Sequence, residues 1–164
     1  MVIGTPYLVH AGLTPVGSTP APAVAALYST FSAALAEAGQ PLVTVLHINH
    51  PAEIDDSVVR AVRRLARSSV AVLNQSVLLA GVNDNAATLI ELSQRLFAAG
   101  ILPYYIHQLD RVKGTAHFRV GDRRARRLVG RVAAGLPGYL VPKLVRERPG
   151  SPAKEILAPA LHKQ

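Results

Sequence analysis

The chain contains no cysteine, and only 10 acidic residues stand against 18 lysines and arginines. Missing thiols exclude disulfides, thiolate metal sites and iron–sulfur ligation by these 164 residues, whatever compartment holds them. No uninterrupted apolar run reaches the roughly 18–20 residues of a membrane-spanning helix. The first residues carry no basic cluster of the kind that opens a secretory signal. A soluble, cytoplasmic protein with no membrane partner is the expectation. Charged residues make up 17% and apolar residues 49%, which excludes a disordered chain, and 164 residues suit one domain with one core. Also missing are a GxGxxG or P-loop turn, a Ser-His-Asp arrangement and an HExxH helix.

The scarcity of acids leaves a formal net charge of +8, which suits an anionic partner in principle. The placement of the charge argues otherwise. Arg60, Arg63, Arg64 and Arg67 recur at helical spacing, and Arg123, Arg124, Arg126, Arg127 and Arg131 form a second cluster, as solvated helix faces do. Nucleic acid is therefore an unfavoured partner, while docking onto an acidic protein stays open.

Residues 1–22 are rich in Pro, Gly, Thr and Ser without a sustained helical period and read as an irregular leader. Thereafter strand and helix patterns alternate. Strands are predicted at 42–48, 70–79, 101–107 and 139–145, and helices at 55–67, from a cap at Asp84 or Asn85 to Ala99 with Gly100 as stop, and at 122–134. Such alternation implies a parallel sheet with right-handed crossovers. His47, Asn49, His50, Gln75, His107, Asp110 and Glu147 fall at or beyond the predicted C-terminal strand ends, the rim where (βα) barrels assemble their sites. A partial barrel is thus preferred to a doubly wound layer, with residues 23–148 as the βα region and 149–164 as a loop and tail. The strand near Leu42 is expected to present an unpaired edge.

Individual residues speak less clearly. Lys154 follows Pro149-Gly150-Ser151-Pro152-Ala153, a stretch unsuited to regular structure, and a lysine on such a loop can swing its amine toward an aldehyde; taken alone, a lysine near a C-terminus is usually just solvated. Asp110 and Glu147 are carboxylates at two strand ends, where a charge-assisted hydrogen bond would select a ligand ammonium. Taken by themselves they read as a turn cap and as a partner of Arg146 or Arg148. His47 and His50 could suggest a metal pair, but no third ligand lies at a diagnostic spacing and an Asn-His-Pro turn accounts for His50. Gln75 reads as a strand-end amide or a ligand contact. His117 and Phe118 receive no role.

Five segments in order carry a resemblance. HINHPAEID at 47–55, LNQSVLLAGVNDN at 73–85, PYYIHQLD at 103–110, GTAHF at 114–118 and GYLVPKLVRE at 138–147, followed by Lys154, resemble the C-terminal half of the lysine 2,3-aminomutase family of radical S-adenosylmethionine enzymes. The nearest likeness is to the branch that makes β-lysine for modifying elongation factor P, which Glu147 and the short tail after Lys154 resemble. The match runs from about Ala25 to Lys154. It implies a partial (βα) barrel of the radical S-adenosylmethionine type, later βα units only. It also implies Lys154 as the catalytic lysine that holds pyridoxal phosphate, His47 and Gln75 as contacts to S-adenosylmethionine, and Asp110 and Glu147 as the grip on the side-chain ammonium of lysine. No metal site is implied within this chain.

In that family S-adenosylmethionine is cleaved reductively at a 4Fe-4S cluster. The resulting radical takes a hydrogen from C3 of lysine, and the amino group migrates from C2 to C3. The cluster's C-x-x-x-C-x-x-C loop and the upstream arginines have no counterpart here. The expectation is a fragment of an isomerase, inactive alone, that needs a missing N-terminal half. The alternatives are a non-catalytic ligand- or protein-binding remnant using the barrel rim or the basic face, and a truncated reading frame with an unrelated leader.

Overall fold

The computed structural model describes residues 7–12, 42–66, 71–110 and 114–158. Six strands form one sheet in the order β1 (Tyr7–Gly12), β2 (Leu42–His47), β3 (Ala71–Leu78), β4 (Leu102–Gln108), β5 (Lys143–Arg146) and β6 (Glu155–Ala158). The first five pair in parallel and β6 returns antiparallel to β5. Helices α1 (Asp56–Ala66), α2 (Ala86–Ala98) and α3 (Asp122–Gly135) occupy the connections. A doubly wound sheet reverses its strand order at a switch point. Here spatial order equals chain order throughout, which is the arrangement of a partial (βα) barrel.

Local chemistry accounts for the helix limits. Asp55 caps α1, its carboxylate accepting from Val58 N–H at 2.9 Å and from the Ser57 hydroxyl at 2.6 Å. Asn85, rather than Asp84, caps α2 by accepting from Thr88 N–H at 2.9 Å. Gly100 at φ +87° ends α2, and Ile101 N–H returns to Leu96 C=O at 2.9 Å. Arg67 and Val70, at predicted element ends, lie outside the described residues.

Thr44, Val45 and Leu46, Asn74, Gln75 and Ser76, and Leu144 and Val145 are buried on both faces of the sheet, but the apolar clusters take alternate residues of β2 to β5. Leu46, Ile48 and Val72 join Val62, Leu92, Leu96 and Ile101 in one apolar cluster. Leu78, Ile106, Leu144 and Leu157 join Leu128, Val129 and Val132 in another, beside α3. By the same alternation His47, Gln75, His107 and Glu147 belong to the opposite face.

Three expectations are corrected. The leader read as irregular contains β1, whose register Tyr7↔Leu42 to Gly12↔His47 covers the edge of β2 that was expected to be unpaired. A run of only six residues among prolines and glycines gives too little periodicity to stand out. The strand predicted at 139–145 starts later, because Gly138–Leu140 forms a single 3-10 turn and Pro142, lacking an N–H, precedes the ladder of β5. The tail at 149–164 contains β6, so the sheet is mixed rather than wholly parallel.

Beyond Leu46↔Asn74 the ladder between β2 and β3 stops, and side chains continue it. Asn74 Oδ1 accepts from Ile48 N–H at 2.9 Å and its Nδ2 donates to Ile48 C=O at 3.0 Å. Asn49 Oδ1 accepts from Val77 N–H at 2.7 Å, while Asn83 Nδ2 donates to both Asn49 C=O and Val77 C=O. Glu53 accepts from the N–H groups of Asn49 and His50, and His50 Nδ1 from Ala52 N–H, closing the turn that follows His47. Asn74 is only 2% exposed, so Asn74→Ala leaves buried backbone groups unpaired. It should lower stability by roughly 1–3 kcal/mol in urea unfolding. A change below about 0.5 kcal/mol, the range of ordinary surface substitutions, would show that the amide bridge is dispensable.

Candidate functional site

The site assembles where β4 and β5 end and β6 begins. His107 is the penultimate residue of β4, Glu147 follows the last residue of β5, and Lys154 precedes the first of β6. Arg146 pairs with Glu155 and Val145 with Ile156 in the antiparallel register. One further step along the hairpin sets Glu147 opposite Lys154. Lys154 Nζ donates to Glu147 Oε1 in an ion pair. His107 Nδ1 lies 3.8 Å from the same oxygen. The neighbouring arginines turn elsewhere, Arg146 to Asp122 and Arg148 to Glu155 at 2.7 Å. Glu147 therefore pairs with the loop lysine and not with the adjacent arginines that its sequence position suggests.

His107 is mostly buried, and its Nε2 has no hydrogen-bond partner. Its imidazole is held below the ordinary 6.5, first by burial and next by the Lys154 charge. Glu147 and Asp110 oppose that shift, while His47 adds to it. Four of the five sequence-predicted site residues, Lys154, Glu147, Asp110 and His47, thus act electrostatically on one imidazole to which no role was assigned. Its strand-end position had already set His107 at the rim, but not its approach to Glu147 and Lys154. Tyr105 meets the His107 ring edge-on at 5.9 Å between centroids, and its phenol is pushed up to about 12 by its hydrogen bond with Tyr104 and by burial.

Asp110 is exposed and lines, with Glu147, a groove of about 960 Å³ that also holds Arg119, Asp122, Arg146 and Arg148. Arg146, aided by Gln108, holds the Asp122 carboxyl below the usual range. Gln75 is not at a strand end. It lies inside β3, opposite Tyr105 at a register shift, and is buried. His47 is the last residue of β2. His50 spends its Nδ1 on capping the 3-10 turn Pro51–Glu53, as its turn sequence suggested. His117 and Phe118 form another such turn, whose Phe118 C=O accepts from Ala80 N–H at 2.7 Å. Among the described residues, no three acidic or histidine side chains converge as a metal site, and no helix is long and apolar enough to cross a membrane. Arg60, Arg63, Arg64, Arg123, Arg127 and Arg131 are exposed, as solvated helix faces are.

No family model matches the chain. Over 123 residues it is 50% identical to the L-lysine 2,3-aminomutase of Escherichia coli strain K12, covering 75% of this chain and 36% of that protein. The chain belongs to the lysine 2,3-aminomutase family. Identity to the L-lysine 2,3-aminomutase of Haemophilus influenzae is 48% over 128 residues, covering 78% of this chain and 38% of that one. The enzyme of the same name from Clostridium subterminale is 38% identical over 113 residues, covering 69% and 27%. The chain therefore spans little more than a third of the length of the curated relatives first named. In fold it is similar to a radical SAM methyltransferase from Sphaerobacter thermophilus, with a TM-score of 0.54 and 19% identity over 73% of this chain and 38% of that one. That likeness agrees with the partial barrel.

The charges around His107 make a signed prediction. Lys154→Met removes a positive neighbour and should raise the imidazole pKa, whereas Glu147→Gln removes a negative one and should lower it further; histidine ring NMR against pH measures both. Because the folded imidazole protonates below 6.5, the unfolded state binds more protons as pH falls past that value, and this residue's contribution makes stability decline. Shifts of the same sign in both variants would break the assignment.

Proposed function

We propose that this chain supplies the cofactor-lysine and substrate-ammonium part of a lysine 2,3-aminomutase, a cytoplasmic isomerase that converts L-lysine to β-lysine for modification of elongation factor P. The observation that carries the reading is the convergence of Lys154, Glu147 and His107, with Asp110 on the adjoining groove. Family membership at 50% identity supplies the substrate class.

In this reading Lys154 holds pyridoxal phosphate through its amine. The residues fit that role: the Lys154 side chain is one-third exposed, and a buried polar atom without a partner, His107 Nε2, belongs to the same cluster. Glu147 and Asp110 bind the distal ammonium of lysine. Two carboxylates at a strand-end rim favour a cation and reject uncharged analogues, whose binding would leave the anions unpaired. His107, neutral near pH 7, fills the wall behind Glu147 without adding positive charge there. His47 and Gln75, on the face away from the apolar clusters, form part of the wall for S-adenosylmethionine. When bound, pyridoxal phosphate supplies an electron-accepting ring joined to the substrate nitrogen, and S-adenosylmethionine with a reduced 4Fe-4S cluster supplies the radical chemistry.

The cluster does not fit this chain, which has no cysteine to ligate iron. Electron supply and the upstream phosphate and carboxylate contacts fall to polypeptide outside these 164 residues, a missing N-terminal half in this reading. Alone, the chain is inactive in S-adenosylmethionine cleavage.

Pyridoxal phosphate followed by borohydride should label Lys154 in preference to Lys113, Lys143 and Lys163, as mapped by peptide mass spectrometry. Equal labelling of all four would sink the cofactor-lysine assignment. Labelling focused on Lys154 only after addition of an N-terminal half would assign the site to a two-part enzyme.

A further inference from the structure

We propose that Asp122 is a positioning residue for the ammonium grip: it ties the ends of β4 and β5 together and so sets the spacing between Asp110 and Glu147. The inference rests on the reading in which those two carboxylates bind the distal ammonium of lysine, and names what holds them in place to do so.

The tie begins where the backbone ladder ends. Strands β4 and β5 pair from Tyr105↔Lys143 to His107↔Val145. Gln108 and Arg146 come next, each the last residue of its strand. Strand alternation puts both on the face that Ile106 and Leu144 share with the apolar cluster beside α3. There the first residue of α3 receives them: Asp122 Oδ1 accepts from Gln108 Nε2 at 3.1 Å and from Arg146 Nη2. Gln108 Nε2 also donates to Val120 C=O at 3.2 Å, and the glutamine is only 6% exposed. One carboxylate oxygen thus takes the place of the next rung.

Each rim acid sits a short length of chain from a tied residue. Glu147 follows Arg146 directly, Asp110 follows Gln108 by two, and all of them line one groove with Asp122. Like charges on neighbouring strand ends repel, and among the described residues no backbone rung beyond His107↔Val145 resists their parting. An ammonium has three donors, but it bridges two carboxylates only where both stand within hydrogen-bond reach of one nitrogen. The spacing that Asp122 sets is what turns two separate anions into one site for a cation. That requirement holds whatever other groups each carboxylate touches.

The test is calorimetric titration of L-lysine, and of L-norleucine as its analogue without the distal ammonium, into the unsubstituted chain, Asp122→Ala, Asp122→Asn and Gln108→Met. The ratio of the two affinities is the readout, since a loss of folded protein weakens both ligands alike. Asp122→Ala should narrow the preference for lysine about ten-fold, the scale of one lost charge-assisted hydrogen bond. Asp122→Asn, which keeps the accepting oxygen, should retain most of the preference. Gln108→Met changes no charge and cuts only the β4 side of the tie; it should narrow the ratio too, and it serves if Asp122→Ala does not fold. Histidine ring NMR needs no ligand: His107 should protonate at lower pH in Asp122→Ala than in Asp122→Asn, because Asp110 and Glu147, whose charges raise its pKa, have moved away. A lysine preference kept in full by Asp122→Ala and Gln108→Met would overturn the tie and leave the ammonium reading intact. A loss as large in Asp122→Asn as in Asp122→Ala would overturn it as well, by showing that charge and not spacing matters. If the unsubstituted chain shows no preference for lysine, the ammonium reading falls, and equal His107 pKa values in the two Asp122 variants would reject the tie separately.

Discussion

Every parallel connection in this sheet steps to the next strand in the same direction, and right-handed crossovers that all step one way place their helices on one face. The rest of the structure depends on that constraint. It decides which alternate residues of each strand become core and which remain for chemistry. Leu46, Ile106 and Leu144 fall on the covered side and close the apolar clusters, while His47, His107 and Glu147 fall on the other. A single register slip would exchange the two sets. The polar group is thus a product of the same patterning that builds the core.

Charge placement around the β5–β6 hairpin contributes selectivity more than stability. Arg148 with Glu155 and Lys154 with Glu147 are partly or largely exposed pairs, which solvent screening keeps weak. Their larger effect is to sort partners. With Arg146 committed to Asp122 and Arg148 to Glu155, the loop lysine takes the carboxylate nearest the buried imidazole. Five of these residues lie within the span 146–155, so the hairpin fold brings them together.

The sequence carried most of the βα region because its elements are long, periodic and capped by ordinary chemistry. Asn85 and Gly100 around α2 and the apolar run of β2 are examples. What it did not carry depends on pairing partners rather than on local pattern. β1 and β6 are short, and each becomes a strand only by adding to an edge that another segment provides. The partner of Glu147 was illegible for the same reason. Arg146 and Arg148 flank it in sequence, but only the antiparallel register shows that Lys154 lies across from it. Gln75 was grouped with the strand-end residues although the predicted run 70–79 already extended past it, and the ladder does continue through Leu78. The rim positions of the carboxylates, the loop lysine and His107 were legible from motif order and strand ends, and the contacts among them through geometry alone.

The asparagine bridges between β2 and β3 have a consequence for the shape of the rim. Where the strands part, the distance between Ile48 and β3 is spanned by the Asn74 amide, and the turn at Asn49 is tied to Val77 and Asn83 by two more. An amide side chain has a fixed length, and each of these is bonded at both its oxygen and its nitrogen or joined to a neighbour that is. The opening at this edge is therefore gauged by covalent dimensions rather than by a balance of weak contacts. His47, at the lip of that opening, stands on a wall whose position a ligand does not have to set.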